Sequence, residues 1–288
     1  MIDLHCHSVF SDGTDLPQAL PHMADEIGLT ALALTDHDTV EGIPAFLAEQ
    51  PKVKTRLLVG TELSCKFIGK TLHVLGLLVD HQDGTFLDRL SDLRNRRDDR
   101  NRRLIAKLQQ EGFRVEMADV EAQAPDTPGR GSLISRVHFA KALAAKGYVP
   151  HHLQAFQGLL NDGGRVWVDR EELEPAEASR WIREAGGVPV VAHPGRFGNG
   201  TFVWDEAMLE LRNQGIEGIE AFYGEYSEIQ QRNFTAMAAK LGMVMSGGSD
   251  YHGANKPHIR LGRGRGSLKV PDELLEGLEA RRREGSWH

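Results

Sequence analysis

Apolar and polar positions along the chain fall into two alternating patterns. Short runs rich in Val, Ile, Leu and Ala cover residues 1–4, 29–34, 57–59, 71–78, 188–192, 216–221 and 243–245. Runs of this kind predict strands buried on both faces. Between most of them apolar positions recur at helical spacing, over residues 16–27, 43–49, 175–185, 206–213 and 228–241. Alternating strands and helices predict a parallel α/β sheet. Six of the seven runs end in a polar residue able to coordinate a metal, whereas His73 lies inside its run. Such residues at the C-terminal ends of many strands favour a closed (β/α) barrel over an open doubly wound sheet, which would gather its ligand at one crevice.

The alternation breaks after about residue 87. Residues 88–110 form a long helical pattern with Leu90, Leu93, Leu104 and Leu108 on its apolar face, and the stretch from Arg94 to Arg103 holds six arginines and two aspartates. That run reads as a solvated helix face in preference to a nucleic-acid track. Shorter helical patterns follow over 115–124 and 132–146, then a segment over 151–160 and the turn Asn161-Asp162-Gly163-Gly164. The expected organisation is a barrel domain over residues 1–98 and 173–288, with a helical insertion over 99–172 capping the barrel mouth. Residues 274–284 predict a final surface helix.

Composition narrows the class. A chain of 288 residues, 40% hydrophobic and 26% charged, has the make-up of a soluble globular protein. No apolar stretch is long enough to span a bilayer, and the N-terminal run does not resemble a signal peptide. Only Cys6 and Cys65 are present, without a Cys-x-x-Cys pair, so a disulfide scaffold or thiolate zinc site is not expected and a reducing cytoplasm is. A net charge of −7 argues against a general nucleic-acid coat. Bound divalent ions would offset that charge at one place, so an anionic substrate stays compatible with it.

The chemistry lies in the His and acidic clusters. His5 and His7, two apart on a strand, point to one face, while Cys6 points to the other as a small buried residue. Asp36-His37 and Asp250-x-His252 follow comparable runs, and Glu62 and His73 come from neighbouring strands. Any one of these histidines reads more simply as a satisfied core or loop residue. Together, at successive strand ends, they point to a multinuclear metal site. A His, Asp and Glu donor set without thiolate suits Mn²⁺, Zn²⁺ or Fe²⁺. Glu220 ends its run facing the same site, where it either supports a ligand or serves the fold. Asp36 and Asp38 either orient His37 or cap the following helix.

In order along the chain, Asp3-Leu4-His5-Cys6-His7, Thr35-Asp36-His37-Asp38, Gly60-Thr61-Glu62, His73, Ala192-His193-Pro194 and Gly248-Ser249-Asp250-Tyr251-His252 resemble the motif set of the PHP (polymerase and histidinol phosphatase) family. The Arg-rich helix and Tyr251-His252-Gly253 with Lys256-Pro257 are similar to its branch of small members acting on nucleoside 3′,5′-bisphosphates, related to 5′–3′ exoribonucleases. The resemblance implies a distorted (β/α)₇ barrel holding three divalent ions. Matched by motif, His5, His7, Glu62 and Asp250 would hold the first ion. Glu62, His73 and His193 would hold the second, and Asp12, His37 and His252 the third. Several relatives carry His where this chain has Asp12, and an oxygen donor there leans the third ion toward Mn²⁺. Asp12, His37, Asp250 and His252 are thereby the expected catalytic centre.

Substrate choice is expected in the insertion. Gly129-Arg130-Gly131-Ser132 precedes a predicted helix, whose N–H groups could cradle a phosphate with Arg130 and Ser132. Arg130, Arg136 and His138 would add charge-assisted contacts, and the resemblance to that branch implies that the Arg136 and His138 pair grips a second phosphate; a Gly-rich loop with a helix cap and surface arginines is the equally open alternative. The implied activity is removal of the 3′-phosphate from a small nucleotide substrate. Hydrolysis of short 5′-phosphorylated single-stranded RNA is the alternative, and a catalytically silent interaction module the alternative of another class. Neither a membrane nor an obligate protein partner is indicated.

Overall fold

The computed structural model describes residues 1–124, 134–161, 163–168, 173–197 and 204–285. The chain divides into two compact units, Met1–Leu87 with Glu172–His288, and Asp88–Glu171.

In the first unit the chain order is β1 (Ile2–Cys6), α1 (Ala19–Glu26), β2 (Ala31–Leu34), α2 (Ile43–Leu47), β3 (Arg56–Phe67) and β4 (Lys70–Leu77). Helix α3 (Gly84–Gln110) leads into the second unit, which holds α4 (Met117–Glu121) and α5 (Arg136–Ala145). The first unit resumes with α6 (Pro175–Glu184), β5 (Val188–Val191), α7 (Trp204–Asn213), β6 (Gly218–Tyr223), α8 (Glu228–Leu241), β7 (Val244–Gly248) and α9 (Glu273–Glu284).

The seven strands form one sheet in sequential order. It nearly closes into a barrel, because His7 N donates to Tyr251 O (2.9 Å) and Asp250 N to His5 O (2.9 Å), joining the end of β1 to the segment after β7. Every residue of β1, β2 and β5 is buried, as expected of strands covered on both faces. Alternate residues Ile2 and Leu4, Ala31 and Ala33, Leu75 and Leu77, and Val188 and Val190 share one apolar cluster with Val270 and Leu278. Gly248 allows the closing approach: a Cβ there would lie 2.4 Å from His5 Cβ and 2.5 Å from His5 N, inside any tolerable contact.

The sheet is not wholly parallel, which corrects the expectation. β3 pairs antiparallel with β4, and β4 antiparallel with β5. The cause is a two-residue hairpin at Ile68 (φ 48°) and Gly69 (φ 72°), positive at both positions as a type I′ turn requires. β3 therefore runs twelve residues, far past the apolar 57–59 stretch, and carries Glu62 in its middle.

The second unit has its own apolar cluster, in which Leu104 and Leu108 of α3 meet Phe139 and Leu143 of α5, with Ala155, Leu160 and Val166. Helix α5 starts at Arg136, four residues later than the sequence pattern suggests, because Ser135 caps it: Val137 N donates to Ser135 Oγ at 3.3 Å. The arginine run on α3 is not simply a solvated face. Arg97 and Arg100 are buried with Asn101, whose amide donates to Ile134 O at 2.9 Å.

Candidate metal centre

Nine of the residues expected to bind metal come from six strands or the loops just beyond them. They fall into four overlapping groups, each with donor atoms within 4.8 Å of one another: His7, Asp12, His37 and His252; His5, His7 and Asp250; His5, Glu62 and His193; and His37, Glu62 and His73. His7 thus joins the Asp12 group as well as the Asp250 group, and His37 also neighbours Glu62 and His73.

Glu62 is the hub. Its Oε1 lies 2.9 Å from His73 Nδ1 and 2.9 Å from His193 Nε2. Its Oε2 lies 3.2 to 3.3 Å from His5 Nε2, His7 Nε2 and His37 Nδ1. Asp12 Oδ1 stands 3.2 Å from His252 Nε2 and 3.8 Å from His37 Nε2. Asp250 Oδ1 is 3.4 Å from His7 Nε2 and 3.5 Å from His5 Nε2. Such spacings are those of donors gathered around common centres.

Neighbouring groups aim these imidazoles. His5 Nδ1 sits 2.9 Å from Glu220 Oε1, which turns Nε2 toward Glu62 and Asp250. Glu220 Oε2 also accepts from His193 N at 2.6 Å, fixing a residue whose φ of 27° is unusual outside glycine. Glu220 therefore supports two candidate ligands at once, as carboxylates behind metal-binding histidines do. His252 Nδ1 meets Asp250 O at 2.8 Å, leaving Nε2 to face Asp12. Asp250 itself has φ 56°. Backbone strain at both His193 and Asp250 is the kind found at functional sites.

Two aspartates beside the motifs do other work. Asp36 accepts from Ser8 N (2.8 Å), Ser8 Oγ (2.6 Å) and Ser11 Oγ (2.5 Å), so it pins the loop after β1 and caps no helix. Asp38 accepts from Ser64 N at 2.9 Å, tying its loop to β3. Asp3, part of the first motif but given no role from the sequence, accepts from Ser249 N (2.8 Å), Ser249 Oγ (2.6 Å) and Gly262 N (2.7 Å). Arg196 and Tyr223 at Asp250 were also missed. Their only signals are that Arg196 stands three residues after His193, and that Tyr223 ends β6.

The electrostatics call for cations. Burial pushes Asp12, Glu62 and Asp250 upward, yet the surrounding histidines, and Lys256 for Asp250, outweigh it and hold all three carboxyls well below their ordinary range. Burial above all, helped by neighbouring histidines, drives His37 down to about 3 and His193 to about 4 against the pull of Glu62, which keeps them neutral as ligands must be. Burial also lowers His7, but hydrogen bonds with Asp250 and Glu62 carry it up to about 9. Buried Asp12 Oδ1, His37 Nδ1 and Glu62 Oε2 accept no hydrogen bond among the described residues. Buried polar atoms left this way are costly unless something else meets them, and a divalent cation would do so for all three. The donor set thus fits metal ions.

Of the expected substrate residues, Arg130 and Ser132 lie outside the described residues. Arg136 stacks its guanidinium 4.6 Å over the Trp167 ring, and His138 is buried, its Nδ1 accepting from Ser135 N at 3.0 Å. The two belong to the second unit.

Comparison with known proteins extends the picture. A 3′,5′-nucleoside bisphosphate phosphatase of Chromobacterium violaceum is 31% identical over 280 residues, spanning 97% of each chain. A 5′-3′ exoribonuclease of Haemophilus influenzae is 30% identical, over 87% of this chain and 89% of its own length. Among solved structures, a candidate metal-dependent phosphoesterase from Bifidobacterium adolescentis superposes with a TM-score of 0.85 at 29% identity, covering 97% of this chain and 96% of its own. The PHP domain model matches residues 3–148; on that match and these relatives, the chain belongs to the PHP domain family.

Proposed function

We propose that the protein is a metal-dependent phosphatase that removes the 3′-phosphate of nucleoside 3′,5′-bisphosphates, converting pAp to AMP and phosphate. The observation that carries this reading is the cage of nine His, Asp and Glu donors in which buried Asp12 Oδ1 and Glu62 Oε2 accept no hydrogen bond among the described residues. The Chromobacterium relative, similar end to end and named for this activity, supports the substrate class.

Three divalent ions suit the donor count, with Glu62 shared between two and Asp12, His37 and His252 on a third. The oxygen donor of Asp12 favours Mn²⁺, with Zn²⁺ or Fe²⁺ as alternatives. When bound, such ions would supply Lewis acidity and a water whose pKa falls to about 7, worth several kcal/mol toward a very slow uncatalysed hydrolysis. The chain's own residues hold that chemistry in place. Glu220 fixes His5 and His193, Asp36 fixes the loop of Ser8 and Ser11, and Asp12 and Asp250 stay ionised. Recognition of the second phosphate is assigned, on the sequence pattern, to Arg130, Ser132, Arg136 and His138. Neither cysteine is in a disulfide, which suits a reducing cytoplasm.

A second reading, 5′–3′ hydrolysis of short RNA with a 5′-phosphate, is favoured by the Haemophilus relative. Comparing kcat/KM for pAp, AMP, histidinol phosphate and 5′-phosphorylated trinucleotides separates the two. The proposal expects pAp to lead; a leading trinucleotide would replace it with the exonuclease reading.

A further inference from the structure

The carboxylate of Asp250 faces two ways. Its Oδ1 points to His5, His7 and His252. Its Oδ2 receives Lys256 Nζ at 2.6 Å, the Tyr223 hydroxyl at 2.8 Å and Arg196 Nη1 at 3.4 Å. Orienting one carboxylate oxygen needs one or two donors; here two full cations and a phenol meet on it. The Tyr223 hydroxyl also accepts from Arg196 Nη1 at 3.1 Å. The nearby Glu225 shares in the cluster: its Oε2 lies 3.2 Å from the Tyr223 hydroxyl, while its Oε1 takes Arg265 at 2.6 Å and His258 at 3.3 Å. With Arg196 and Lys256 on Asp250 and Arg265 on Glu225, three cations face two carboxylates at this edge of the cage.

Both cations are firmly placed, and both retain donors. Arg196 ends the 3-10 turn Pro194–Arg196 that starts directly after His193, and Lys256 follows the 3-10 turn Gly253–Asn255 after His252. The first turn is fixed by Gly195 N donating to the Tyr226 hydroxyl at 2.7 Å, and a Cβ on Gly195 would meet the Tyr226 ring at 2.7 Å. Only Nη1 of Arg196 is engaged; its Nε and Nη2 make no hydrogen bond or ion pair among the described residues, and the side chain is 49% exposed. The Lys256 side chain is 21% exposed, with one acceptor among the described residues for its three donors. A planar guanidinium with free donors beside an ammonium is suited to oxygens of a phosphate dianion.

We propose that Arg196 and Lys256 form a two-cation clamp that grips the non-bridging oxygens of the scissile phosphoryl group, with Asp250 and Tyr223 holding the two cations at the edge of the metal cage. The clamp rests on the phosphoesterase reading and adds to it two substrate-binding residues of the barrel unit, distinct from those expected in residues 99–172.

The test uses the full-length, metal-loaded protein and its Arg196→Met, Arg196→Lys and Lys256→Met variants. Inorganic phosphate binding is measured by calorimetry, pAp turnover by phosphate release, and metal content by mass spectrometry. The clamp predicts that Arg196→Met and Lys256→Met each weaken phosphate binding roughly 10- to 100-fold, the usual weight of a hydrogen bond to a charged group, at parental metal content. Arg196→Lys should recover part of the loss. Unchanged phosphate affinity in both Met variants would overturn the clamp, whatever happens to turnover. So would loss of metal in step with loss of phosphate binding, since the cations would then serve only to hold Asp250. Parent protein that binds phosphate through these residues but leaves pAp intact would instead defeat the proposed substrate and leave the clamp standing.

Discussion

Replacing Glu220 with Gln tests how far the surroundings of the cage set its function. The wild-type carboxylate uses both oxygens on buried donors, Oε1 on His5 Nδ1 at 2.9 Å and Oε2 on His193 N at 2.6 Å. Glutamine is nearly the same size but offers one acceptor oxygen for two donors. One of the two hydrogen bonds must fail, and its buried N–H would face an amide NH₂. A buried donor left without a partner costs about 1–3 kcal/mol. The same change frees either the His5 ring or the strained His193 backbone, and losing such support weakens metal binding roughly 10- to 100-fold. Urea unfolding of the metal-free protein reads the first effect, and metal titration calorimetry reads the second. Unchanged stability together with unchanged metal affinity would refute the reasoning, showing that the cage holds its ligands without Glu220.

Other substitutions probe separate links. Glu62→Gln removes the charge shared by five imidazoles. It should lower metal content and cut kcat/KM for pAp at least roughly 10³-fold, as the several kcal/mol that metal ions contribute are lost; retention of full metal content and activity would remove Glu62 from the hub. Gly248→Ala forces a methyl into the 2.4 Å approach to His5 Cβ and should cost about 1–3 kcal/mol by overpacking, read as a lowered melting temperature; an unchanged melting point would show that the barrel seam yields. Arg136→Ala should impair pAp far more than a simple monophosphate, and equal losses on both would remove it from second-phosphate recognition.

The gathering of the nine candidate donors was legible in the sequence because each strand brings its donors at or near one end of the sheet, so short motifs such as His5-Cys6-His7 keep their meaning without tertiary context. The buried parallel strands were legible for the same reason of local pattern. The antiparallel turn of β3 into β4 was not. Residues 57–59 are apolar, but the strand continues through Glu62, Ser64 and Lys66, whose polarity hides it, and its turn places β-branched Ile68 at positive φ, where Asn or Asp would have signalled a hairpin. The roles of Asp3 and Asp36 depend on contacts 246 and 28 residues away, beyond any local reading. Arg97 and Arg100 read as solvated because a charge run usually is; only packing shows them buried.

The central claim is that the nine-residue cage holds several divalent ions, and the metal content of the purified protein tests it most directly. Mass spectrometry of protein prepared with Mn²⁺ should find more than one ion per chain, and fewer in Glu62→Gln. A parent protein that binds no divalent metal under these conditions would contradict the account.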